Sequence, residues 1–111
     1  MKNNLDLELK FHEAMIEIYE QAKSELNYNA TRFLQAVNKH GGFKAAKIFL
    51  CAKDYSDGFV KLWERKRLDL TMEAMIIENS KWHCLFTKEE LLIAKKRLIS
   101  LGYKPKIKSY S

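Results

Sequence analysis

The apolar residues of this chain recur at steps of three and four, and no other feature of the sequence constrains the fold as strongly. The first such series is Leu7, Phe11, Met15, Ile18 and Ala22. These positions lie on one side of a helical repeat of about 3.6 residues, opposite a series of glutamates. No stretch shows the apolar and polar alternation of a half-buried strand between hairpin turns. The spacing therefore predicts an all-α fold.

Residues that cap or stop helices divide the first two thirds of the chain. We expect the first helix to reach about Leu26, and Asn29 to cap a second helix that stops at the double glycine of residues 41–42. A third helix is predicted from residue 43 to about residue 53. Ser56 or Asp57 can cap a fourth helix, which is expected to extend to residue 67.

Two further helices are predicted in the remainder. Thr71 can cap a short fifth helix that ends at Asn79. Thr87 and Glu90 have the Thr-x-x-Glu spacing of a capping box, which predicts the start of a last helix that Gly102 stops.

The chain has 111 residues and is 47% hydrophobic, which suits one hydrophobic core. We predict a single-domain orthogonal bundle of about six helices over residues 1–103, followed by a basic flexible tail over residues 104–111. Several residues are expected to face the core: Trp63, Trp82, Leu92, Ile99 and the two cysteines, Cys51 and Cys84.

The formal charge of +6 is distributed unevenly. Residues 1–26 carry six acids and three bases, whereas residues 38–67 carry eight bases and three acids, and residues 88–111 carry seven bases and two acids. The two basic stretches can build one cationic face, which favours a polyanionic partner such as nucleic acid. The alternative is that these lysines only solvate helix surfaces.

Residues 41–67 resemble the helix-turn-helix of many bacterial regulators. Gly42 opens the first helix, Ala45 and Ala46 are small enough to let two helices cross closely, and residues 57–67 take the place of the recognition helix. The intervening turn, CAKDY, is longer than the roughly 3–4 residues usual in such motifs. An ordinary pair of packed helices is the alternative.

A second resemblance covers roughly residues 29–103. The segments that carry it are, in order, NATRFLQAV, GGFKAAK, SDGFVKLWE, RLDLTMEAMI, LFT and LGY. Together they resemble a small uncharacterised bacterial helical domain that occurs alone or appended to restriction-endonuclease-like proteins. The resemblance implies a setting in DNA processing or bacterial defence. It brings with it no established activity and no functional residues.

Three charged residues among the matching positions have a structural explanation. Arg67, Asp69 and Glu73 are expected to form an ion-pair and capping cluster around the start of the fifth helix, where acids are favoured by the helix dipole.

The sequence contains no recognised arrangement for catalysis or metal binding. Neither cysteine belongs to a C-x-x-C pair, and among the candidate metal ligands only His83 and Cys84 are adjacent. The segment GGFK lacks the spacing of a phosphate-binding loop. We therefore expect no enzymatic activity, no metal and no cofactor.

Two observations bear on location. No stretch approaches the roughly 18 consecutive apolar residues of a membrane helix, and the first ten residues lack the apolar core of a signal peptide. A cytoplasmic protein without a membrane partner is expected.

The leading hypothesis is a non-catalytic helical module that binds nucleic acid, with DNA favoured over RNA. The predicted contacts are Lys44, Lys47, Lys53, Ser56, Lys61, Arg65 and Lys66, assisted by Lys95, Lys96 and the lysine-rich tail. The alternative is a protein-interaction or regulatory module, phage- or defence-associated, that binds a nucleic-acid-processing enzyme.

Overall fold

The computed structural model describes residues 4–106, and every regular element in that range is helical. The six α-helices of this range are α1 Asn4–Leu26, α2 Thr31–His40, α3 Gly42–Cys51, α4 Asp57–Glu64, α5 Met72–Glu78 and α6 Lys88–Ser100. Two short 3₁₀ segments, Leu68–Leu70 and Ser80–Leu85, connect α4 to α5 and α5 to α6. The predicted all-α bundle of about six helices is confirmed.

The core is built around α5, whose residues 72–77 are all buried. It packs against α6 and both 3₁₀ segments. Phe11 of α1 lies at the centre of an aromatic cluster, with its ring 5.3 Å from that of Trp82 and 5.4 Å from that of Phe86, both edge-on. Such edge-to-face pairs contribute about 0.5–1.5 kcal/mol beyond the apolar area they bury. The predicted burial of Trp82 is confirmed.

Three of the predicted helix starts are confirmed at atomic detail. The side-chain oxygens of Ser56, Thr71 and Thr87 accept hydrogen bonds from the backbone N–H groups at the third residue after each cap. Glu90 completes the capping box by accepting from the Thr87 N–H at 2.8 Å. Each cap satisfies a donor that the helix itself leaves unpaired.

The predicted cap of α2 by Asn29 is wrong. The residue preceding α2 is Ala30, which provides no side-chain cap. Asn29 instead accepts a hydrogen bond from the Tyr19 hydroxyl, which joins it to α1. The side-chain oxygen of Asn29 therefore has a tertiary partner on α1.

The double glycine brings α1 and α3 together. Gly41 ends α2 in the left-handed region, with φ of 84°, as predicted for a helix stop. Gly42 donates its N–H to Nδ1 of His12 at 2.8 Å, and a Cβ at this position would lie 2.6 Å from the His12 Cα. Only glycine permits this approach.

The packing partners of α3 bear on the resemblance to a helix-turn-helix. The main neighbours of α3 are α1, α2 and α6, whereas α4 packs mainly against the segment Leu68–Leu70. The buried alanines, Ala45 and Ala46, belong to the main core. The helix-turn-helix interpretation therefore has support only in the order of the two helices and the turn between them, and it stays a prediction.

A buried arginine on α6 joins three elements. Arg97 donates to the carbonyl oxygens of Phe49 at 3.1 Å, Leu50 at 3.3 Å and Ala52 at 2.9 Å, at the end of α3. It also donates to the Glu73 carboxylate of α5 at 3.1 Å. Burial raises the pKa of Glu73, and Arg97 opposes that shift. A positive charge here also complements the negative end of the α3 dipole.

The predicted cluster of Arg67, Asp69 and Glu73 is wrong for Glu73, which pairs with Arg97. Arg67 does bind Asp69, at 3.0 Å, but its second partner is Glu25 of α1, at 2.9 Å, and not Glu73. Glu73 faces inward because α5 is buried on all sides, so it requires a buried cation.

Five residues expected in the core are exposed: Trp63 of α4, described below, and four others. Leu92 and Ile99 lie on the outer face of α6, and both cysteines, Cys51 and Cys84, are exposed free thiols. The pattern of α6 places apolar residues almost all around the helix, but the core covers only the side of Ala94 and Leu98.

The chain after α6 returns to α5. Gly102 ends α6 with φ of 86°, as predicted, and the Tyr103 hydroxyl donates to Glu78 at 2.5 Å. The Lys106 N–H donates to the same carboxylate at 2.9 Å. Residues 104–106 of the predicted flexible tail are therefore held at this point, and residues 107–111 lie outside the described residues.

Substitution of Arg97 by methionine should lower the free energy of unfolding by about 3–5 kcal/mol, because Glu73 and three carbonyl groups lose their buried donor. Urea denaturation measures this directly. Lys96→Met is the matched control, since Lys96 is exposed on the same helix, and its effect should stay within about 0.5 kcal/mol. Equal unfolding midpoints for the two variants would contradict the structural role of Arg97.

Candidate functional site

The end of α4 carries the densest group of exposed bases from the predicted site. Lys61 lies on the last turn of the helix, with its ammonium 3.8 Å from the Glu64 carboxylate, and Arg65 and Lys66 directly follow the end of the helix. Arg65 donates to the carbonyl oxygen of Leu26 at 3.2 Å, which anchors this end of α4 to the end of α1. We call Lys61, Arg65, Lys66 and the intervening Trp63 the basic turn.

The backbone of the basic turn forms a Schellman motif. The Arg67 N–H donates to the Leu62 carbonyl and the Lys66 N–H donates to the Trp63 carbonyl, which are the two hydrogen bonds of that motif. Lys66 occupies its left-handed position, with φ of 60°. Glycine is usual there, and a lysine costs roughly 1–2 kcal/mol. Its side chain is exposed.

Trp63 was expected in the core and is 45% exposed. The buried residues of α4 are Phe59 and Leu62, and Trp63 lies at the edge of that apolar face. A shallow cleft of about 230 Å³ separates Trp63 and Lys66 from residues 101–103, which follow α6. The lysines at positions 104 and 106 follow directly, so the cleft adjoins a second basic segment.

The other predicted contacts are distributed over α3 and the link of residues 52–56. Lys44 is exposed on α3, and Lys53 is exposed in the link. Ser56 is occupied as the cap of α4, since its hydroxyl accepts from the Phe59 N–H at 3.1 Å. Of the seven predicted residues, Lys61, Arg65 and Lys66 lie at the end of α4, and the other four lie on α3 and the link.

Lys47 is held by the fold. Its ammonium lies 2.9 Å from Glu90 and over the rings of Phe43 and Phe86, at 5.1 and 5.5 Å from their centroids. Burial acts to raise the pKa of Glu90, but hydrogen bonds from Lys47 and from the Thr87 backbone outweigh it and lower that pKa. Lys47 therefore has a structural role that links α3 to α6.

A second concave surface, which the sequence did not predict, is lined by residues of α1 to α5 and of the link. Its volume is about 530 Å³. Six aromatic side chains line it: Tyr19, Tyr28, Phe33, Phe49, Tyr55 and Phe59. We call this surface the aromatic groove. Tyr55, in the link, is 41% exposed.

The charged groups of the aromatic groove are mainly acidic. Asp54, Asp57 and Glu73 line it together with one base, Arg32. Arg32 and Asp57 form an ion pair of 2.7 Å between largely exposed side chains. Burial, with a smaller contribution from the charge of Asp57, raises the pKa of Tyr28. Glu73 is the one deeply buried carboxylate of the lining.

The described residues contain neither a cluster of metal ligands nor a helix that could span a membrane. Between residues 4 and 106, no three His, Cys, Asp or Glu side chains are grouped so that they could hold a metal ion. No helix of the described chain has the length and apolar character needed to cross a bilayer.

Comparison with protein-family models, curated proteins and solved structures finds no match to this chain. The resemblance to the bacterial domain associated with restriction-endonuclease-like proteins therefore stays a prediction.

Substitution of Lys47 by glutamine should lower the free energy of unfolding by about 1 kcal/mol at pH 7, because it removes the Glu90 ion pair and two ring contacts. Lys44→Gln, on the exposed side of α3, serves as the control and should change stability by less than about 0.5 kcal/mol. Thermal unfolding of both variants gives the comparison.

The effect of Lys47→Gln should also depend on pH. The folded pKa of Glu90 is lower than the ordinary value of 4.5, so the ion pair contributes fully above pH 4.5. Its contribution is lost as the pH falls through that lower folded pKa, where Glu90 takes up a proton. A stability difference between wild type and variant that stays constant down to pH 2 would argue against this pair.

Proposed function

We propose that this chain is a non-catalytic module that binds nucleic acid through the basic turn and the adjoining residues 101–106. The observation that carries the proposal is the exposed Trp63 set among Lys61, Arg65 and Lys66 at one helix end. Lysine and arginine neutralise phosphates, and an exposed aromatic ring offers a face on which a base can stack. The combination suits a nucleic-acid strand better than a neutral ligand.

The conformation of Lys66 supports the same surface. A lysine in the left-handed region at a Schellman position is held at an energetic cost, and such backbone outliers cluster at functional sites. The left-handed residue at the equivalent end of α6 is Gly102. Both turns line the same cleft, and only the turn after α4 has a cation at the left-handed position.

The other four predicted contact residues fall into two groups in this proposal. Lys44 and Lys53 are exposed and add to the positive field that attracts a polyanion. Lys47 and Ser56 are engaged by Glu90 and by the α4 backbone, so we assign them to the fold and not to the contact surface.

Replacement of Lys61 and Arg65 by glutamate should weaken binding to duplex DNA and reduce the dependence of log K on log salt concentration by about 2, because each phosphate contact contributes about 0.9. Fluorescence anisotropy with a labelled random duplex, titrated from low to moderate salt, measures both quantities. Labelled single-stranded DNA and structured RNA, titrated in parallel, show which nucleic acid is preferred.

The matched control carries the same change of net charge elsewhere. Lys10 and Lys39 are exposed near the other end of α1, and Lys10 lies sixteen residues before Leu26, roughly 24 Å along the helix. Lys10→Glu/Lys39→Glu should leave the salt slope near that of wild type. Similar losses in both double variants would indicate a non-specific charge effect, and an absence of binding to all three nucleic acids at low salt would refute the proposal.

Single-stranded DNA should quench the fluorescence of Trp63. The chain has two tryptophans, and Trp82 is only 3% exposed, so a ligand-induced change reports on Trp63. Trp63→Ala should weaken binding of an oligothymidylate about 5- to 150-fold, the range expected for loss of one stacked base. Duplex binding should change by less than about threefold. Equal losses for both nucleic acids would show that Trp63 does not stack on a base.

A second candidate is a protein-interaction module, phage- or defence-associated, that binds a nucleic-acid-processing enzyme. Leu92 and Ile99 favour it, because they are 50% and 53% exposed and lie two turns apart on one face of α6. Binding through this face would depend weakly on salt, whereas binding through the basic turn depends on it steeply. A pull-down that compares wild type with a Leu92→Ser/Ile99→Ser variant distinguishes the two modes of binding, because only binding through the α6 face should be lost in the variant.

A further inference from the structure

The aromatic groove is independent of the basic turn and differs from it in charge. Three carboxylates and one guanidinium line the groove, although the chain as a whole carries a formal charge of +6. A phosphate would meet repulsion from Asp54 and Asp57, so the groove does not suit the polyanion proposed for the basic turn. A ligand that suits the groove would belong to another chemical class.

The size and lining of the groove match a small-molecule site. Its volume of about 530 Å³ falls within the roughly 300–1,000 Å³ of typical ligand pockets. Such pockets combine a mainly apolar lining with a few polar groups that orient the ligand. The rings of Phe33 and Phe49 stack at 5.8 Å, and those of Tyr55 and Phe59 pack at 5.1 Å, so two ring pairs of the lining hold each other in place.

The aromatic rings and the carboxylates of the groove favour a cationic ligand. The face of an aromatic ring carries partial negative charge and attracts a cation placed over it. The carboxylates of Asp54 and Asp57 add a field of the same sign at the exposed part of the groove. We propose that the aromatic groove binds a small organic cation of the quaternary ammonium class, with the ring faces enclosing its methyl groups.

The ion pair at the groove is compatible with entry of such a ligand. The side chains of Arg32 and Asp57 are 85% and 68% exposed, and ion pairs so exposed are weak. Arg32 can therefore swing into solvent while Asp57 turns toward the bound cation. Glu73 has its own buried partner in Arg97 and stays with it.

Substitution of Gly58 can test whether the groove binds the ligand. It lines the groove within α4, and a Cβ at this position would lie 3.9 Å from the Tyr28 hydroxyl, an ordinary contact. Packing therefore does not require glycine here, although glycine disfavours a helix relative to alanine. A larger side chain at residue 58 would extend beside Tyr28 and occupy the groove.

Choline is the probe, and its uncharged isostere 3,3-dimethyl-1-butanol is the comparison, with binding followed by chemical shift changes in NMR spectra of the full chain. Choline should bind about tenfold more tightly than the isostere, a ratio within the range of measured cation–π contributions. Shifts should concentrate on Tyr28, Phe33 and Phe59, away from the basic turn.

Two substitutions at one position supply the control. Alanine and leucine are both good helix formers, so Gly58→Ala and Gly58→Leu should both fold. Gly58→Leu should weaken choline binding at least about tenfold, which corresponds to about 1.4 kcal/mol, whereas Gly58→Ala should stay within about threefold of wild type. Equal affinity for choline and the isostere, no choline binding at tens of millimolar, or unchanged binding by Gly58→Leu would each overturn the proposal.

Discussion

The end of α3 is held by a single guanidinium, and the path of the link to α4 depends on it. Arg97 holds the carbonyls of Phe49, Leu50 and Ala52 while it neutralises Glu73. Because Ala52 begins the link to α4, the same side chain sets the direction in which that link leaves α3. A buried pair of this kind gains little over apolar residues of similar volume, but loss of one partner is costly. Its consequence here is a defined path for residues 52–56.

The link then determines where α4 starts. Its Tyr55 hydroxyl is hydrogen-bonded to Ser100 of α6 at 2.9 Å, and Ser56 caps the helix. Asp57 at the start of α4 and the bases at its end both complement the helix dipole, so part of this charge pattern is structural. The dipole does not explain why Trp63 is exposed or why Lys66 is left-handed. Those two features distinguish the basic turn from an ordinary helix end.

The sequence predicted the features that depend on hydrogen bonds between residues close together in the chain. The caps at Ser56, Thr71 and Thr87 follow from side chains that bond backbone groups three residues away. It did not predict the partner of Arg97, since Glu73 lies 24 residues earlier in the chain and α5 has no apolar periodicity to mark its inward face. It placed Trp63 in the core because local spacing shows an apolar face but not how far neighbouring elements cover it. The aromatic groove was missed because its lining comes from helices distant in sequence.

The two surfaces share α4, which contributes Gly58 to the aromatic groove and Trp63 to the basic turn. This helix buries only Phe59 and Leu62, whereas α5 buries six consecutive residues. Elements with few buried contacts are the ones that shift at low cost. Any coupling between ligands at the two surfaces would therefore have to pass through a displacement of α4, and by linkage each ligand would change the affinity for the other by the same factor.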